Sequence, residues 1–86
     1  MKLEIGLFGA FRDFEPGAKL MLEVPEAAVV RDVRQALLVH ARAHWPGFRE
    51  GLLQRSAFAS ASRVLREDEP VAADTPLMVL PPVGGG

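Results

Sequence analysis

Residues 29–47 read VVRDVRQALLVHARAHWPG. Val30, Val33, Leu37, Ala41 and then His44 or Trp45 recur at steps of three and four, which gathers them on one face of a helix. The segments on either side alternate with period two instead. The stretch therefore predicts a helix over Val30 to His44 set between strands. Pro46-Gly47 cannot continue it, so its end is well marked. Its start is not: Ala28 and Val29 stand where Ser, Thr or Asp usually caps, so the first turn is expected to fray or to borrow Glu26 for its free N–H groups.

Toward the N-terminus, Lys2 to Phe8 places Leu3, Ile5 and Leu7 on one side and Lys2, Glu4, Gly6 and Phe8 on the other, the pattern of a half-buried strand. Lys19 to Val24 alternates again through Leu20, Leu22 and Val24. Between them Phe14-Glu15-Pro16-Gly17-Ala18 carries turn chemistry, so the two runs read as a hairpin.

Toward the C-terminus, Phe48 to Arg55 reads as a short turn of helix, Ala57 to Ser62 as a weak strand, and Val64-Leu65 as a further apolar pair. Arg66 to Pro70 is a turn, and its acidic run Glu67-Asp68-Glu69 reads as a solvated surface rather than a docking site. Val71 to Thr75 connects to a last strand, Leu77-Met78-Val79-Leu80, stopped by Pro81-Pro82. The resulting order, β-β-α-β-β, predicts an α+β domain with a mixed sheet of four to five strands packed on one main helix. Residues 1–80 form that domain and 81–86 a separate tail.

With 86 residues the chain has room for one core, and a deep two-lobed catalytic cleft is not expected. Ten Lys and Arg stand against eleven Asp and Glu, spread along the chain, so no basic stripe favours nucleic acid. Cysteine is absent, which excludes disulfides, thiolate zinc sites and a cysteine nucleophile. Glu4 interrupts the apolar run that a signal peptide would need, and no stretch is apolar enough to span a bilayer, so the expected compartment is the cytoplasm.

The tail is Pro81-Pro82-Val83-Gly84-Gly85-Gly86. Two prolines favour an extended exit from the domain, and glycines have no side chains to pack. Fraying is the plain reading of such an end. The specific reading is that an extended chain without Cβ atoms threads a narrow channel and presents its terminal carboxylate to a buried site.

Together with Leu7-Phe8-Gly9-Ala10-Phe11-Arg12-Asp13, Val30-Arg31-Asp32-Val33 and Pro70-Val71, the ending Leu80-Pro81-Pro82-Val83-Gly84-Gly85-Gly86 resembles the small subunit of molybdopterin synthase, and more loosely the thiamine-pathway sulfur carrier. The resemblance covers nearly the whole chain. In that family Pro-Pro-Val precedes one variable residue and Gly-Gly, so Gly84 falls on the variable position and Gly85-Gly86 on the functional pair. The chain departs from the family at Ser60-Ala61, where a Val-Asn pair is common, and at Ala73-Asp74-Thr75, where Asp-Gly-Asp is common.

The resemblance implies a ubiquitin-like β-grasp fold and a sulfur-carrying cycle. An E1-like adenylyltransferase uses ATP to adenylate the carboxylate of Gly86, and a sulfur donor enzyme converts the acyl-adenylate to a thiocarboxylate. The carrier then inserts Pro81 to Gly86 into the large subunit of molybdopterin synthase, a heterotetramer whose active site lies on the large subunit. The chain would bind no cofactor itself and would not be catalytic alone. Docking is expected on the sheet face away from the helix, through Phe8, Met78 and Leu80. Related readings are a carrier for thiamine or tRNA thiolation and a ubiquitin-like modifier joined to protein lysines; a passive binding module is a third.

Other signals read as structural. His40 and His44 share a helix face but lack an evident third ligand, so no metal site is expected. Ser56, Ser60 and Ser62 lack the Gly-x-Ser-x-Gly elbow of a hydrolase. Trp45 reads as a core anchor.

Overall fold

The computed structural model describes residues 1–83. Its elements are β1 (Lys2–Leu7), β2 (Lys19–Glu23), α1 (Val30–His44), α2 (Glu50–Gln54), β3 (Ala57–Ala59) and β4 (Leu77–Leu80). The strands lie in the order β2-β1-β4-β3. β1 is antiparallel to β2, with Ile5 opposite Leu20, and parallel to β4, with Leu7 opposite Val79. β3 closes the other edge antiparallel to β4. The sheet is thus mixed, as the element order predicts, with β1 and β4 at its centre and α1 across one face.

The period-two residues Leu3, Ile5 and Leu7 and the helical residues Val30, Val33, Leu37 and Ala41 all point into one core with Phe11, Phe58, Leu77 and Val79. Each such aliphatic side chain taken out of water contributes about 1.5–3 kcal/mol before its entropy cost. Trp45 is buried as expected, with its ring stacked on Phe14 at 4.9 Å between centroids and edge-on to Phe48.

Several sequence expectations need correction. β1 ends at Leu7, so Phe8 lies just beyond the strand. The β1–β2 connection is no tight turn: a 3-10 helix, Gly9–Phe14, tucks Phe11 fully into the core, and Gly17 at φ 75° turns the chain into β2. β3 stops at Ala59, because Ser60 begins a turn whose N–H donates to Arg63 O at 2.9 Å; Leu65 N–H then returns to Phe58 O at 2.8 Å.

Glu26 does not cap α1; its carboxylate lies 3.1 Å from the Met1 amino group. Val30 and Arg31 instead donate their N–H groups to the main-chain carbonyls of Glu69 and Glu67 at 3.0 and 2.9 Å, and Asp32 Oδ2 accepts from Val29 N–H at 2.9 Å. Groups that a short polar side chain would have satisfied are satisfied by a distant turn.

Nor is the acidic run merely solvated. Arg34 holds both oxygens of Glu67, at 3.0 and 2.6 Å, while its other nitrogen donates to the carbonyls of Leu53 and Ser56 at 2.6 and 2.9 Å. Its guanidinium also lies 5.0 Å from the Phe58 ring centroid. Arg63 pairs with Glu69 through both carboxylate oxygens. Only Asp68 of the run stays fully on the surface.

Candidate functional site

β4 carries the chain to the tail. Leu77 and Val79 face the core, so Met78 and Leu80 face outward, both half-buried, because successive side chains alternate across a sheet. Register places Met78 between Gly6 and Ala59, and Leu80 opposite Ala57. A Cβ added at Gly6 would lie 3.4 Å from Phe8 Cε1 and 3.7 Å from Met78 Cγ, so Phe8 and Met78 meet above that glycine. Phe8 keeps 42% of its surface exposed. The three residues expected to dock a partner are therefore brought together on the face away from α1.

This face is divided. Near β4 it is apolar, with Phe8, Met78, Leu80 and Ala57. Across β2 it carries Lys19, Met21 and Glu23 beside Lys2 and Glu4. An exposed aromatic beside methionine and leucine, rimmed by charge, has the make-up of a protein-binding patch.

Pro81 and Pro82 leave β4 half-buried at the edge of the apolar area, and Val83 is fully exposed. Gly84, Gly85 and Gly86, the expected variable position and carrier pair, lie outside the described residues. Pro81 rests against Gly9: a Cβ added there would lie 2.5 Å from Pro81 Cγ. Gly9 also has φ 57°, which L residues adopt at a cost. The sequence reading gave Gly9 and Gly6 no role of their own, although a glycine inside or just past an alternating strand signals a bulge, a positive φ or a close approach.

The remaining candidate residues contact neighbours within the domain. His40 Nε2 lies 2.8 Å from Glu15 Oε2, which also accepts from Trp45 Nε1 at 2.7 Å. The Trp45 and His40 hydrogen bonds hold the Glu15 carboxyl below its usual range. The rings of His40 and His44 stand 4.7 Å apart, but no group of three or more His, Cys, Asp or Glu is placed to hold a metal among the described residues. Ser56 Oγ donates to Leu52 O at 2.6 Å, and Ser60 and Ser62 lie 3.3 Å from one another. A surface cleft of about 490 Å³ opens elsewhere, between Phe14, Leu52, Arg49 and Arg55, and none of the tail-root residues line it. No helix among the described residues is long and apolar enough to cross a membrane.

The sequence matches no protein-family model and no curated protein. Among solved structures, SAMP1 from Haloferax volcanii superposes with a TM-score of 0.69 over 100% of both chains, at 24% identity. That likeness establishes the architecture: the chain has a ubiquitin-like β-grasp fold.

Proposed function

We propose that the protein is a sulfur carrier whose C-terminal glycine, Gly86, is converted to a thiocarboxylate. The observation that carries this reading is the tail root: β4 leads Pro81-Pro82 out beside the apolar patch of Phe8, Met78 and Leu80. A partner that grips the patch thereby meets the tail root, Pro81-Pro82, beside it. The ubiquitin-like fold shared with SAMP1 and the Pro-Pro-Val-Gly-Gly-Gly sequence of residues 81–86 support the same reading.

The chemistry lies on the main chain. A carboxylate is a poor electrophile, so an E1-like enzyme first joins it to AMP from ATP, with pyrophosphate leaving. A persulfide on a donor enzyme then attacks the acyl carbon, AMP leaves, and a thiol cleaves the resulting acyl disulfide, releasing the thiocarboxylate and leaving a disulfide on the donor side. On the resemblance of Pro81-Pro82-Val83 and Gly85-Gly86, the recipient is the large subunit of molybdopterin synthase, in which the sulfur enters the dithiolene of molybdopterin. Sulfur carriage for thiamine or tRNA differs from this only in the partner, and protein modification differs in the acceptor.

The test is the intact mass of the purified protein after incubation with ATP, an activating enzyme and a sulfur donor. The carrier reading expects the gain of one sulfur for one oxygen, absent when Gly86 is deleted. Higher-mass conjugates to lysine that vanish with Gly86 would identify a modifier instead. An unchanged mass with several activating enzymes would leave a passive binding module.

A further inference from the structure

Gly9 is held on both sides. Before it, β1 runs through the middle of the sheet; after it, Phe11 N–H closes on Phe8 O at 3.1 Å and the Phe11 ring is fully buried. Gly9 therefore forms a firm seat, and what touches it is the first residue of the tail. From the position of a Cβ at Gly9, Pro81 Cγ, Cδ and Cβ would lie at 2.5, 3.4 and 3.8 Å. The first distance is far inside the 3.5–4.0 Å at which carbon atoms attract. A proline ring is bonded to the main chain at both ends, so Cγ cannot swing aside as the tip of a leucine would. An added methyl would have to displace the backbone at the tail root.

We infer that Gly9 is a positioning residue for sulfur transfer: by having no side chain it lets Pro81 seat against the domain, and so sets the direction in which the tail leaves beside Phe8. The inference rests on the carrier reading for its functional consequence, but the seat itself is geometric. Pro81 to Val83, the described part of the tail, spans two residue steps, about 7 Å when extended. A deflection of about 15° at the root moves Val83 by roughly 2 Å. A partner that grips Phe8, Met78 and Leu80 and threads the tail at once meets that error directly, and misplacements on the order of 1 Å cost about a hundredfold in rate.

The test compares Gly9→Ala, Pro81→Ala and the double variant with the wild type. Strain from the positive φ is the same in Gly9→Ala and in the double variant, whereas the collision with the ring exists only in the former. In NMR spectra the amide signals of Val83 and of Gly84 to Gly86 are expected to shift in Gly9→Ala, and to return in the double variant to their positions in Pro81→Ala. In the activation assay kcat/KM is expected to fall by about a hundredfold in Gly9→Ala, with the double variant within a few-fold of Pro81→Ala. Unmoved tail signals in Gly9→Ala, or a double variant as defective as Gly9→Ala, would overturn the inference. If the wild type itself is not activated, the carrier reading falls, and the NMR comparison still decides whether Gly9 seats the tail.

Discussion

On one face of the sheet Leu3, Ile5, Leu7, Leu77 and Val79 are sealed beneath α1, and ionic clasps from Arg34 and Arg63 hold the surrounding turns. On the other face the same two central strands present Glu4, Gly6, Met78 and Leu80 to solvent, with Phe8 over Gly6 and the tail leaving at the rim. The fold is stabilised on the first face and has little to lose on the second. Such a division frees the outer face to change with the partner, because a substitution there is not also a substitution in the core.

The sharpest way to break this comparison is to remove Gly86. Transfer should be lost completely while the melting temperature stays at the wild-type value, since a glycine has no side chain to add to the core of Phe11, Leu37 and Val79. A bulky residue at Gly85 should behave alike. If either change unfolds the protein, as read by circular dichroism, the tail belongs to the fold and the division fails.

The opposite pattern is expected of Phe58→Ala. Phe58 is fully buried on the helix side and lies under the Arg34 guanidinium. Its truncation should cost about 3–5 kcal/mol in denaturant unfolding. Under conditions where the variant remains folded, its sulfur loading per folded molecule should match the wild type.

Phe8→Asp sharpens the claim from the outer face. Phe8 is substantially exposed, so the change should alter stability by no more than about 0.5 kcal/mol. A charge in the centre of the patch should nevertheless weaken binding to the activating enzyme by about 2 kcal/mol, roughly thirtyfold, measurable by calorimetry. Equal binding by Phe8→Asp and the wild type would place the docking surface elsewhere.

How much of this was legible in the sequence depended on how local the cause was. α1 and its C-terminal end were readable because apolar residues recur at helical spacing and Pro46-Gly47 follows, whereas its start carried no capping signal. β1 and β2 were readable from strict alternation, which carries Phe8 outward just past β1, while the outward placement of Met78 and Leu80 follows from alternation along β4. What satisfies the first turn of α1 was not readable, because the acceptors are carbonyls of Glu67 and Glu69, and carbonyls look alike at every position. Arg34 reads as one surface arginine among many until α2, β3 and the acidic turn close around it. β3 is three residues long with Phe58 alone facing the core, too short to show a period. The seat of Pro81 on Gly9 joins residues from opposite ends of the chain, and only the fold brings them together.

The smallest expected effect concerns pH, and it separates the two faces once more. Arg63, and after it the main-chain N–H of Arg66, lower the Glu69 carboxyl from its ordinary value near 4.5 to about 2. Because the folded value lies below the unfolded one, the unfolded chain binds more protons between the two. The stability due to this pairing is therefore complete above about 4.5 and is lost as the pH falls toward about 2. Glu15 and Glu67, lowered mainly by Trp45 and by Arg34 respectively, act in the same direction. Glu69→Gln should be less stable than the wild type at pH 7, and the two unfolding midpoints should converge as acid titrates the carboxylate away. A gap that persists at the acid end would mean that packing of the turn, rather than charge, supplied the difference. At pH 7 the same variant should load sulfur like the wild type, since its clasp holds the turn beneath α1 and touches neither Phe8, Met78 and Leu80 nor the Gly9 seat.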